Sequence, residues 1–250
     1  TRQLKVIASA LEKKIKSELL SIQKENRETY ETFWSAFGTQ LKYGVVGEFG
    51  AHKDMLQDLL LFWSSKEGKN TTLAAYKDRM PEDQPFYYYA CGESVEKIAR
   101  LPQVERILDK GYEILYCTED VDDFVMKALA EIDGKKFKSV TEEDALPQTE
   151  EEKKAAEEKA EAGKPVLEAV KEALGDQVKE VRVSAILKSG ACCLSADGPV
   201  SIEMEKYMSK MEGGQPMKAE RVLELNADSA PFAALKKAVE AGETDTVAKY

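Results

Sequence analysis

Between residues 86 and 140 the apolar pattern changes period repeatedly, from the two-residue alternation of a strand to the 3.6-residue stripe of a helix and back. Residues 86–90 read as a strand, Ser94 caps a helix through Ala99, and Pro102 opens a second helix that closes at Lys110-Gly111. Residues 112–117 read as the next strand, Asp120 or Asp122 opens a helix through Ile132, and residues 136–140 form a third strand. Strand, helix and strand at this spacing predict a small, largely parallel sheet with right-handed crossovers.

Helices precede that unit. Leu4, Ala8, Leu11, Ile15, Leu19 and Ile22 fall three and four apart, which puts one apolar stripe on a helix of about six turns. That helix begins near residue 1 without a cap, so the chain is expected to be part of something longer. Asn26 is the N-cap of a second helix that carries Tyr30, Phe33, Trp34, Phe37 and Leu41 on one face and stops near Gly44. A third is predicted over residues 51–63, with Met55, Leu56, Leu59, Leu60, Phe62 and Trp63 in the core and His52 solvated at its polar start. Thr71-Thr72 opens a short helix that Pro81 ends.

From Thr141 to Lys164 the composition turns to Glu, Lys and Ala, which predicts an exposed helix joining two folded units. Val166, Leu167, Val170, Leu174 and Val178 then continue it with a buried stripe. Residues 178–186 and 191–196 read as two strands of a hairpin around Ser189-Gly190, residues 202–211 as a Met-rich helix, 221–225 as a strand and 230–239 as a last helix. The fold class is therefore α/β plus α+β: a helical segment over residues 1–80, a small parallel-sheet α/β/α unit over 81–145, and over 146–250 an α+β unit with a short antiparallel sheet.

The charge balance excludes several functions. A net charge of −10, with Lys and Arg interleaved among Glu and Asp, disfavours a nucleic-acid partner. Four cysteines without a C-x-x-C pair and one histidine leave no metal-ligand set. No apolar run reaches the length of a membrane span, and a reducing, cytoplasmic setting with free thiols is expected. No Gly-x-Gly-x-x-Gly or Gly-x-x-x-x-Gly-Lys loop cradles phosphate, and Glu96 stands where a nucleophile elbow at Ser94 needs glycine. No catalytic residue, cofactor or metal site is assigned. One alternative is a thiol-dependent enzyme using Cys91 or Cys117, and another is an architectural spacer. The most suggestive surface is Met204, Tyr207, Met208 and Met211, one face of a helix set between Asp197-Gly198-Pro199 and Gly213-Gly214-Gln215-Pro216.

An ordered set of blocks carries a resemblance: Leu4-Lys5-Val6-Ile7, Tyr30-x-x-Phe33-Trp34-x-x-Phe37-Gly38, Leu41-Lys42-x-Gly44, Leu73-x-x-Tyr76-x-x-Arg79-Met80 and Phe86-Tyr87-Tyr88. Asp122-Asp123-Phe124, Asp133-Gly134-Lys135-x-Phe137-x-Ser139-Val140 and Leu223-Glu224-Leu225-Asn226 complete it. Over essentially its whole length the chain resembles the heat-shock protein 90 chaperones, in their bacterial branch.

The resemblance implies the rear of the family's middle domain joined to an incomplete C-terminal domain. The nucleotide domain, with ATP and Mg, and the catalytic-loop arginine would then lie upstream of Thr1, so ATPase activity is not expected of this chain. The expected role is to hold partly unfolded client proteins. Asp123, Phe124 and Lys127 fall on the family's client surface, as do Met204, Tyr207, Met208 and Met211. The family often has tryptophan at Phe124, and its bacterial members can have asparagine at Lys127. The full-length family protein is a homodimer, whereas this chain, stopping as the first dimerisation helix begins, is expected to dimerise weakly or not at all.

Overall fold

The computed structural model describes residues 2–142, 144–147, 150–185, 187–211, 217–243 and 247. They group into two compact units, Thr1–Val95 with Tyr112–Phe137, and Glu96–Gly111 with Lys138–Tyr250.

The first unit opens with helices α1 (Arg2–Glu25) and α2 (Arg27–Val46), separated by Asn26, whose side chain caps α2 by accepting from the Thr29 N–H at 3.1 Å. Leu19 and Ile22 of α1 pack on the core, but Leu4, Leu11 and Ile15 of the same stripe stay exposed. On α2 the buried positions are Tyr30, Trp34, Gly38, Lys42 and Val45. The buried stripe is therefore rotated from the expected one, and Phe37 is exposed. Gly38 makes room for the Trp34 indole, since a Cβ there would lie 2.7 Å from the ring.

The helix expected over residues 51–63 is shorter. Helix α3 (Lys53–Leu56) runs into a 3₁₀ turn (Gln57–Leu59), and Leu61–Ser64 is strand β1. An unbroken apolar run carries no period, and here Leu61, Phe62 and Ser64 are all buried, as in an interior strand. Strand β2 (Asn70–Thr72) follows, and the Thr72 hydroxyl caps α4 (Leu73–Arg79). Then come β3 (Tyr87–Cys91), helices α5 (Val95–Ala99) and α6 (Pro102–Asp109), β4 (Ile114–Cys117), α7 (Asp122–Leu129), β5 (Glu131–Ile132) and β6 (Lys135–Ser139).

The strands form one sheet in the order β2-β1-β4-β3-β6-β5. Strands β3 and β4 are parallel, with Cys91 opposite Cys117, whereas β1 runs antiparallel to both β2 and β4. The sheet is mixed because the unexpected β1 inserts beside β4. Strands β5 and β6 make a hairpin at Asp133-Gly134, both in the left-handed conformation that such a turn requires. Aromatic contacts close the core, with Tyr87 stacked on Phe137 at 5.0 Å and on Tyr76 at 5.5 Å.

The second unit contains α5 residues from Glu96 onward, α6, and α8 (Glu150–Leu174), a single helix through the stretch read as a linker. Three glutamates in the first turn of α8 complement its dipole, and Val166 and Val170 turn inward. Strands β7 (Glu180–Val183) and β8 (Cys192–Asp197) follow, then helix α9 (Ile202–Lys210), strand β9 (Glu220–Leu225) and helix α10 (Ala230–Glu240). The expected hairpin is not formed. The order is β7-β9-β8, with β9 parallel to β7 and antiparallel to β8. Two causes are visible. Val222, Glu224 and Leu225 are all buried, so β9 takes the centre. The segment after β7 is meanwhile drawn to α6, where Arg106 donates to the Ala185 carbonyl at 2.6 Å and Ser189 to Glu105 at 2.7 Å. A buried polar cluster crosses the sheet: Glu224 accepts from Arg182 at 2.8 Å, Ser184 at 2.7 Å and Ser195 at 2.8 Å.

Candidate functional site

In the first unit the predicted residues lie on α7, whose start is set by charge. Asp122 is 1 % exposed and meets the Lys42 ammonium at 2.7 Å, while its second oxygen accepts from the Glu119 N–H at 3.0 Å. Lys42 also donates to Glu119 at 2.6 Å and lies 5.5 Å from the Trp34 ring centre and 5.2 Å from that of Phe62. Burial works against the Lys42 ammonium, but Asp122 and Glu119 outweigh it and hold its pKa above the ordinary lysine value. Burial pushes the Asp122 carboxyl up, against the pull of Lys42.

The next residue is anchored too. Asp123 is buried, accepts from the Tyr89 hydroxyl at 2.9 Å and stands 3.9 Å from Lys127 one turn later. Val125, Met126 and Leu129 complete the inward face. Phe124 is left half-buried and Lys127 exposed. Of the three positions, Asp123 orients the helix and the other two present it.

In the second unit the Ser201 hydroxyl caps α9 by accepting from the Met204 N–H at 3.0 Å. Glu205 fastens the helix to the chain before β9, accepting from the Ala219 N–H at 2.8 Å and from Arg221 at 2.9 Å. Those two donors lower the Glu205 pKa, the Ala219 amide foremost. Met204 is 8 % exposed, Tyr207 and Met208 are half-buried, and Met211 at the C-cap is 48 % exposed. The face is thus graded from anchored to open. Gly198 before the helix is left-handed, and the Gly213–Pro216 breaker lies outside the described residues.

Cys91, Cys117 and Cys193 have the reverse of what a nucleophile needs. Cys91 and Cys117 sit side by side at the ends of β3 and β4; a hydrogen bond to Cys117 together with burial raises the Cys91 pKa, and burial raises that of Cys117. Cys193 is pushed up to about 12 by burial, while Cys192 is exposed. Among the described residues no three His, Cys, Asp or Glu side chains gather as for a metal, and no helix is long and apolar enough to cross a membrane.

No role was read for Lys42, Glu119 or Tyr89 from sequence. The available signal was a lysine one turn beyond Gly38 and two beyond Trp34, on a face otherwise buried, where a cation demands a carboxylate.

The two mixed α/β units carry anchored helices that present apolar side chains, and the pKa values of Cys91, Cys117 and Cys193 are raised, opposite to what a thiolate nucleophile needs. The family model described as Hsp90 protein matches residues 1–250. Chaperone protein HtpG of Bacillus subtilis (strain 168) is 53 % identical over 239 residues, covering 96 % of this chain and 38 % of the relative. HtpG of Clostridium perfringens (strain 13 / Type A) is 52 % identical over 239 residues, and that of Clostridium botulinum (strain Langeland / NCTC 10281 / Type F) 48 % over 249. The chain belongs to the Hsp90 family of heat-shock chaperones. It spans about two fifths of the length of the curated relatives it matches.

Proposed function

We propose that this chain supplies client-holding surfaces of an ATP-driven chaperone. One surface is on α7, where Phe124 and Lys127 contact the client and Asp123 sets their helix; the other is on α9, through Tyr207, Met208 and Met211 with Met204 as the anchor. The observation that carries the reading is the gradient along α9. A helix capped at Ser201 and tied down at Glu205 still leaves Met211 half exposed, and thioethers adapt to many surfaces at low cost. ATP and Mg act elsewhere in the whole protein, because this chain has no glycine-rich loop to cradle phosphate. The whole protein works as a cytoplasmic homodimer. This chain alone associates weakly, since Phe232, Leu235 and Ala238 of α10 are spent on its own core.

The test pairs affinity with stability. Met208→Ala and Phe124→Ala should each weaken capture of a reduced, carboxymethylated globular protein by about 1 kcal/mol or more, with little change in Tm. A markedly lower Tm with unchanged binding per folded molecule would make both residues core and remove the assignment. Calorimetry with ATP and Mg should show no saturable heat; micromolar binding would refute that part.

A further inference from the structure

The three-stranded sheet of the second unit has one apolar face that its helices do not fully cover. Strand register places Val181, Leu223 and Leu194 in one row across β7, β9 and β8, and Leu225 with Cys192 in the next. Val181 and Leu225 are buried in the core that α8 and α10 share, but Leu194 on β8 is 46 % exposed and Cys192 is exposed as well. The uncovered strip is the floor of a groove of about 1140 Å³, lined by Leu174, Val178, Cys192, Leu194 and Leu223, room enough for several side chains.

The same strand is an open edge. The Asn226 N–H donates to the Ala191 carbonyl at 2.9 Å, which makes that pair a hydrogen-bonded one. The alternation of an antiparallel ladder then commits Cys193, Ser195 and Asp197 inward to β9 and turns the amides of Cys192, Leu194 and Ala196 outward. In agreement, β9 sends its other row toward β7, with the Leu225 carbonyl accepting from Ser184 at 2.8 Å and that of Arg221 from Lys179 at 2.7 Å. Among the described residues nothing bonds the outward row of β8. Exposed edges are usually blunted by lysine, proline or a bulge. Strand β8 reads Cys-Cys-Leu-Ser-Ala-Asp, and its register with β9 runs without a slip.

We propose that β8 binds an extended segment of an unfolded polypeptide as an added strand. The three outward amides pair with the segment's backbone, and its alternate apolar side chains enter the groove on the Leu194 side. Backbone pairing makes the capture tolerant of sequence, and the period of two selects the apolar alternation. Charge favours one end: Lys218 lines the groove beside Arg221, whose guanidinium is already paired with Glu205 at 2.9 Å, so a carboxylate on the segment is met there by Lys218. The site rests on the client-holding reading and adds a mode that neither α7 nor α9 provides.

The test uses the 250-residue chain and a fluorescein-labelled octapeptide of alternating Leu and Thr ending in Glu, read by anisotropy. A second peptide, N-methylated at the amides that would face β8, should bind roughly tenfold or more weakly, and Leu194→Asp should cost the native peptide a similar factor. Equal binding of the two peptides overturns strand addition with the protein itself unaltered. If the octapeptide fails while the carboxymethylated protein is still captured through Phe124 and Met208, the β8 site is wrong and the client-holding reading stands. If neither binds, that reading falls and the β8 site with it. Sedimentation showing a dimer that Leu194→Asp dissolves would mean that a second copy occupies the edge, and would also overturn the proposal.

Discussion

Replacing Lys42 by methionine keeps the aliphatic stem against Trp34 and Phe62 but strips the cation from Asp122, whose side chain is 1 % exposed. Glu119, one third exposed, can turn to water, whereas Asp122 cannot. Removing one partner of a buried pair costs about 3–5 kcal/mol, far above the ~0–1 kcal/mol of a surface bridge. The loss should also depend on pH. Without Lys42 the folded-state pKa of Asp122 rises further above its unfolded value, so the folded form holds a proton that the unfolded form has released. Stability then falls as pH rises through that window, and the deficit against the parent chain should be smaller near pH 5 than near pH 8. Urea unfolding followed by tryptophan fluorescence reads this unit, because Trp34 and Trp63 both belong to it. A loss below about 1 kcal/mol, or one independent of pH, would refute the claim that Asp122 depends on Lys42.

The two ends of the α9 face should behave differently. Met204→Ala, at a buried position, should lower stability by about 2–4 kcal/mol, while Met211→Ala should leave urea unfolding nearly unchanged. Alkylation of the native chain at neutral pH should label Cys192 first and leave Cys91, Cys117 and Cys193 until unfolding, as mass spectrometry of timed samples would show. Fast labelling of Cys91 would contradict its raised pKa. Glu224→Ala should cost about 3–5 kcal/mol by leaving Arg182 in a largely buried site without its carboxylate, and Glu224→Gln, which keeps one oxygen to accept and offers an N–H to the other serine's hydroxyl oxygen, should cost less.

What could be read along the chain was what depends on neighbours in sequence. Asn26, Thr72, Ser201 and Ser229 cap helices as side chains of their type do, because a cap bonds an amide two or three residues away. The strands at Tyr87–Cys91 and Ile114–Cys117 were legible from their composition, as was the Met face of α9 from its spacing. The positions on α7 came only through family resemblance, since nothing local marks Phe124 as outward. Long-range choices stayed hidden. Leu61–Ser64 becomes a strand because β2 and β4 lie on either side of it, and β9 separates β7 from β8 because its own residues are the most deeply covered. Leu4, Leu11 and Ile15 share a stripe with Leu19 and Ile22, yet of these only the last two pack on the core and the first three are exposed. Periodicity says which residues share a face, but only the elements packed on that face decide burial. Hence Met204 is an anchor, Met211 is open and Lys42 is paired inside the core.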